Sequence, residues 1–168
     1  MVQLAVHGYA PTKQNSPVNG TVKYMTIDIK KLKPNAIIPQ YQTEQAAGMD
    51  VHACLDEAVT LAPMERRMIP TGLAIALPAG YEAQVRARSG LSIKHGITVV
   101  NGVGTIDADY RGEIGVLVVN LGQEPFTIES DMRIAQMVVA QYQTAVWQVT
   151  DELSDTARGA GGFGSTKL

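Results

Sequence analysis

The stretch Ile97-Thr98-Val99-Val100-Asn101-Gly102-Val103-Gly104-Thr105-Ile106-Asp107-Ala108-Asp109-Tyr110-Arg111-Gly112-Glu113-Ile114-Gly115-Val116-Leu117-Val118-Val119 alternates short β-prone runs with glycine and aspartate breaks. Ile97 to Val100 is a strand candidate, and its last pair, Val99-Val100, together with Thr105-Ile106 flanks glycines suited to a turn, so the pattern predicts a hairpin whose backbone edges are free to pair with a ligand. Ile114 to Val119 is apolar on both faces and rich in valine, which predicts a central strand. Asp107 and Asp109 lie two apart and share one face of an extended chain. One can then act as a base while Arg111 ties the other in a local salt bridge. An Asp-rich turn with Arg111 as a surface partner would give the same string.

The same grain continues on both sides. Val22 to Ile29 and Tyr81 to Arg88 alternate like half-buried strands. Gly48 to Leu55, Ala58 to Leu61, Met68 to Leu77, Arg133 to Ala140 and Ala145 to Val149 are further strand candidates, with Pro63, Pro70, Pro78 and Pro125 at their ends. Only Ser89 to His95 reads as a helical turn, with Ser89 placed as its N-cap. Many short strands at this spacing predict an all-β sandwich or barrel. Residues 1–21 show no periodicity and are expected to form a mobile extension, residues 22–150 the β domain, and residues 151–168 a flexible C-terminal arm. Trp147 is expected to pack at a core or subunit edge.

Composition narrows the class. The chain has 168 residues with a hydrophobic fraction of 45%, enough for one domain with a core. A formal charge of -2 argues against a broad electrostatic footprint for nucleic acid or an anionic membrane. The single cysteine, Cys54, rules out an internal disulfide, and three histidines without a Cys-x-x-Cys pair argue against a zinc site. Neither a signal peptide nor a membrane-spanning run is visible, so a cytoplasmic protein is expected.

Several short segments carry chemistry. Gly48-Met49-Asp50 sets a carboxylate just after a permissive glycine, and taken alone it reads as a solvated turn. Arg88-Ser89-Gly90-Leu91 aims N–H groups, a hydroxyl and a guanidinium at one spot, as phosphate sites do, although capping explains Ser89 equally well. Gln136 is an amide in a buried strand, so it joins a structural network or faces a ligand. Gly159, Gly161 and Gly164 fit G-x-G-x-x-G literally, but the flanking strand, helix and acid of a dinucleotide site are missing. Ser165 stands where a Walker loop needs lysine. Arg158, Ser165 and Thr166 nevertheless supply phosphate donors, and Phe163 offers a ring to stack on a base.

Taken in order, Ala47-Gly48-Met49-Asp50, Arg88-Ser89-Gly90-Leu91, Gly104 to Gly112, Arg133-Ile134-Ala135-Gln136 and Arg158 to Thr166 resemble the five motifs of the trimeric dUTPase family, and the likeness runs from about Tyr24 to Leu168. The resemblance implies an all-β, distorted jelly-roll or barrel fold with one short helix, in a homotrimer whose active sites are shared between subunits. It also implies hydrolysis of dUTP to dUMP and pyrophosphate with Mg²⁺, which clears dUTP from the nucleotide pool and supplies dUMP for dTMP synthesis. By the resemblance, Asp107 is the base for the water that attacks the α-phosphorus. Tyr110 packs under the deoxyribose and excludes a 2′-hydroxyl. Asn101, Gly104 and Ile106 belong to the uracil-reading element, while Arg88, Ser89, Gly90 and Gln136 fall on phosphate-contacting positions. Asp50 supports the metal through water, the ion being held mainly by the triphosphate. Arg158, Phe163, Gly164, Ser165 and Thr166 match a closing arm, with Phe163 over the base. Ala87 and Lys167 depart from the family's usual proline and glycine. The competing readings are a dCTP deaminase of the same fold, against which no second acid is placed beside the pyrimidine, and a non-catalytic nucleotide-sensing module.

Overall fold

The computed structural model describes residues 24–163. The expected N-terminal extension, and Gly164, Ser165, Thr166 and Lys167, lie outside the described residues. The chain is mostly β with one short helix. A five-stranded antiparallel sheet runs in the order β2 (Gln40–Tyr41), β3 (Met49–His52), β12 (Arg133–Gln141), β7 (Tyr81–Arg86) and β9 (Gly104–Ile106). A three-stranded sheet places β10 (Gly115–Asn120) between β5 (Arg66–Pro70) and β8 (Ile97–Val99). Two ribbons pair β1 (Asp28–Lys31) with β6 (Leu73–Ala76) and β4 (Val59–Leu61) with β11 (Phe126–Ile128).

One core joins these sheets. Val51, Ala83, Val85 and Met137 point inward from the five-stranded sheet and meet Ile69, Ile97, Val116 and Val118 of the three-stranded one. The alternation is plain in β7, where Ala83 and Val85 are buried while Arg86 is exposed. In β12 a register shift between Arg133 and Ala135 breaks the alternation, so that Ile134 and Ala135 are both buried and Gln136 turns to the opposite face from Met137. That bulge sets which face receives the strand's amide.

The central position of Ile114 to Val119 holds, since β10 lies between two neighbours. Other expectations need correction. Tyr24 to Ile27 is not a strand. Pairing with β6 starts at Asp28 opposite Ala76, and the ladder cannot extend the other way because Pro78 has no N–H to give. Met68 to Leu77 is two strands, divided at Thr71-Gly72, where Gly72 adopts φ 67. Ala145 to Val149 finds no partner strand among the described residues, and every residue from 141 to 160 is exposed. Trp147, at 89% exposure, does not pack on this chain's core. Ser89 is the first helical residue of α1 (Ser89–His95), not its cap. Arg88 holds the cap position without a side-chain capping bond.

Asn120 ends β10 fully buried, and its side chain is completely occupied. Nδ2 donates to Leu61 O at 3.0 Å and Glu124 O at 2.8 Å, while Oδ1 accepts from Gly122 N at 2.8 Å. Removing the amide leaves three backbone groups without this partner, the Leu61 carbonyl among them fully buried. Asn120→Ala should therefore lower stability by about 2–4 kcal/mol. Urea unfolding at fixed protein concentration measures this, and a loss below about 1 kcal/mol contradicts the assigned role.

Candidate active site

Two clusters gather most of the residues singled out in the sequence. The first is a polar row across the five-stranded sheet. Cα register sets Gln40 beside Asp50, Asp50 beside Gln136 and Gln136 beside Arg86, so four neighbouring strands present these side chains on one face. Asp50 is not a solvated turn residue. It is 8% exposed, with Oδ1 at 3.1 Å from Arg88 Nε and Oδ2 at 3.1 Å from Arg133 Nη1. A carboxylate this buried requires such partners. Arg88 also donates from Nη1 to Arg133 O at 2.9 Å, which fixes the strand end from which α1 departs.

Gln136 donates from Nε2 to Ala87 O at 2.9 Å. Its Oε1 lies over Gly48, where an added Cβ would approach to 2.7 Å. The amide is therefore part of a network that orders the Arg88-Ser89-Gly90 corner, and the glycine before Asp50 is explained by space. Arg86, which the sequence reading passed over, joins the row and is held by Gln84 Oε1, whose own Nε2 donates to Glu82 at 2.7 Å. No motif signal marks it. Only strand register reveals its place.

The second cluster is a pocket of about 280 Å³. Residues 97–106 do not form a simple hairpin. β8 pairs with β10 and β9 with β7, in different sheets, and residues 100–103 bridge the gap. Gly102 N donates to Val99 O at 3.0 Å and Val103 N to Asn101 O at 2.8 Å, closing the bridge tightly. Among the described residues both β8 and β9 end their sheets, so each keeps an unpaired edge there. Val99, Asn101, Gly104, Thr105 and Ile106 line the pocket together with Asp107 and Tyr110. The expectation of free backbone edges therefore stands, by a different topology from the one predicted.

Asp107 follows β9 directly and is exposed, in a turn closed by Tyr110 N donating to Asp107 O at 3.2 Å. The predicted Asp109–Arg111 salt bridge is not formed. Arg111 Nη1 donates instead to Ala108 O at 2.7 Å and Tyr110 O at 2.8 Å, because the turn brings those carbonyls closer than any carboxylate. Tyr110 donates its hydroxyl to Glu113 O at 2.9 Å and lies against Gly112. Glu113 is a second acid along the pocket that sequence reasoning missed, but its Oε1 accepts Gly72 N–H at 2.7 Å.

The two clusters stay apart on one chain. Asp50, Arg88, Ser89, Gly90 and Gln136 do not line the pocket of Asn101, Asp107 and Tyr110. Arg158 and Phe163 lie on the exposed arm, where Arg158 Nε donates to Gly161 O at 2.8 Å and Phe163 is fully exposed. Gly164, Ser165 and Thr166 lie outside the described residues. Among the described residues, no three His, Cys, Asp or Glu side chains converge as a metal cage. Both Asp50 oxygens already face guanidinium groups. This donor set suits a divalent ion that arrives on phosphate oxygens with its own waters.

Comparison with known proteins covers the same part of the chain. A family model described as dUTPase matches residues 34–167. The deoxyuridine 5'-triphosphate nucleotidohydrolase of Rickettsia felis is 55% identical over 141 residues, 83% of this chain and 95% of that protein. Among solved structures, the dUTPase of Staphylococcus bacteriophage 80alpha with dUpNHpp superposes with a TM-score of 0.78 at 29% identity, covering 85% of this chain and 99% of that one. A dUTPase from phage phi11 of S. aureus, described with a structural Mg(II) ion, shares the fold at a TM-score of 0.70 and 24% identity over 78% of this chain and 100% of its own.

Two predictions come from the polar row. Gly48→Ala forces Gln136 off Ala87 O and should lower kcat/KM by about 10-fold or more with the fold retained, read by steady-state kinetics and circular dichroism. His52 sits two residues from Asp50 with Nδ1 buried and unpartnered, and burial lowers its pKa below 6.5 despite nearby Asp50. The unfolded chain therefore binds this proton first, and stability falls as pH drops below 6.5. Thermal midpoints at about pH 7.5 and 5.5 should show that His52→Gln reduces the acid-side loss. An identical loss in the variant removes His52 as a cause.

Proposed function

The chain belongs to the dUTPase family, and on that premise we propose that it hydrolyses dUTP to dUMP and pyrophosphate with Asp107 as the base that activates the attacking water. The observation that carries this reading is the pocket in which the open edge of β9, Asn101, Tyr110 and Asp107 converge. Unpaired N–H and C=O groups on that edge offer a pyrimidine a pairing surface, and cytosine loses there because its exocyclic group leaves buried polar atoms unmatched. On this reading the Tyr110 ring, which lines the pocket, packs under the sugar, and crowding from it disfavours a 2′-hydroxyl.

Arg88, Ser89, Gly90 and Gln136 would hold phosphate oxygens, with Asp50 keeping the arginines fixed in direction. In-line attack at the α-phosphorus needs a positioned water and neutralised charge on the departing pyrophosphate. Asp50 would reach a Mg²⁺ ion carried on the triphosphate only through water, and such an ion would supply part of that neutralisation. Because the pocket and the polar row are separate on one chain, we place them together across subunits of a jelly-roll homotrimer. Arg158, Phe163, Gly164, Ser165 and Thr166 of the arm then close over the occupied site. The exposed Val146, Trp147 and Val149 just before the arm, and Leu153 within it, support a C-terminal stretch that lies on a neighbouring copy. No helix among the described residues is long and apolar enough to cross a membrane, and we place the enzyme in the cytoplasm. Clearing dUTP and supplying dUMP for dTMP synthesis is the role that fits.

The deaminase alternative needs a free acid beside the base. Glu113 is the candidate in the pocket, and its bond to Gly72 N–H makes it a poor one. Pyrophosphate release from dUTP, dCTP, dTTP and UTP, with and without Mg²⁺, tests the reading directly. Asp107→Asn should lower turnover of dUTP by about 10²–10⁴ with the assembly intact. Ammonia from dCTP, or a near-normal rate in the variant, would overturn the assignment.

A further inference from the structure

We propose that Met68 is a substrate-contacting residue: its thioether side chain, leaning through the space that Gly115 leaves, forms an apolar wall that packs on the nucleoside part of dUTP. The inference rests on the reading of the pocket as a dUTP site. Met68 lies on β5 and Gly115 on β10, and both line that pocket together with Asn101, Asp107 and Tyr110. Neither belongs to any of the five motifs.

Register explains how a residue of β5 reaches the pocket. Met68 pairs with Leu117, and Gly115 is the diagonal neighbour on the same face, two positions nearer the turn that carries Asp107 and Tyr110. Ile69, Val116 and Val118 are buried, so Met68, Gly115 and Leu117 take the opposite, outer face of the sheet. A Cβ at residue 115 would come within 2.8 Å of both Cγ and Sδ of Met68. The methionine therefore leans over the bare backbone of Gly115, toward the pocket, and any side chain there would turn it away.

Met68 is open rather than packed, with 67% of its surface exposed. An unbranched thioether adapts to a flat ring and makes favourable sulfur–aromatic contacts. Asn101 and the edge of β9 offer polar groups to a pyrimidine, and Met68 adds the apolar surface that those groups lack. Met64 is the natural comparison. At 70% exposure it is as open as Met68, but it does not line the pocket.

Oxidation by hydrogen peroxide in the full-length protein tests this, since it reports the openness of each thioether. Trypsin cuts after Arg67 and Arg86 and releases Met68 in a peptide with no second methionine, so mass spectrometry counts its sulfoxide. With Mg²⁺ and the imido analogue dUpNHpp, at a concentration that abolishes dUTP turnover, Met68 should oxidise about 5-fold more slowly and Met64 at an unchanged rate. Met68→Ala should raise KM for dUTP by about 5–10-fold with kcat within about 2-fold, as loss of an apolar contact made alike in ground and transition states does. Gly115→Ala should also raise KM, but not in a Met68→Ala background, because its effect passes through the displaced methionine. A Met68 that the analogue leaves unprotected, one already shielded without it, an unchanged KM in Met68→Ala, or a Gly115→Ala effect that persists without Met68 overturns the proposal alone. A wild-type protein without dUTP turnover overturns the hydrolase reading beneath it.

Discussion

Ile97–Val99 and Gly104–Ile106 are joined by residues 100–103 and yet hydrogen-bond into different sheets. An exposed strand edge is ordinarily a hazard, because its unpaired N–H and C=O groups invite another chain. Here the two edges open onto one pocket, and the tight bridge through Asn101 and Gly102 keeps them from closing on each other. Everything assigned to nucleotide recognition depends on that separation. If β8 and β9 paired with each other, the base would have no backbone to read, and Asp107 would project from the end of a closed ladder.

The polar row solves a different problem. Triphosphate binding asks for cations, and cations left alone near a buried surface are costly. Asp50 balances Arg88 and Arg133 in the absence of substrate, and its own burial is tolerated because both oxygens are engaged. The β12 bulge supplies the geometry by turning Gln136 onto the same face as Asp50. On the proposed reading, one chain offers a base-and-sugar pocket and a phosphate-type row as separate half-sites. The proposed trimer joins them, and the exposed arm gives each copy a means to reach another.

The readable part of the sequence was what local pattern controls. Period-two alternation located β7, valine content located β10, and the helical turn at Ser89 to His95 appeared with its correct span. Partnership between strands was not readable. Tyr24 to Ile27 and Ala145 to Val149 alternate well enough but find nothing to pair with among the described residues. Met68 to Leu77 looked continuous because a single glycine at positive φ divides it. Asp50 seemed a turn residue since its arginine partners, at the α1 cap and on β12, are far away in sequence. Glu113 went unnoticed as a pocket acid because its engagement depends on one backbone N–H forty-one positions away. Long-range register decides such cases, and a linear pattern does not contain it.

Complementation between defective subunits tests the shared site most directly. Asp107→Asn chains lack the base and Arg88→Ala chains lack a phosphate ligand, so each homotrimer should be inactive. Co-assembled at equal amounts, mixed trimers each regain one site with both residues intact, and about a quarter of wild-type activity should return. If the mixture stays as inactive as its parents while mixed trimers are demonstrably present, base pocket and phosphate row do not meet between chains.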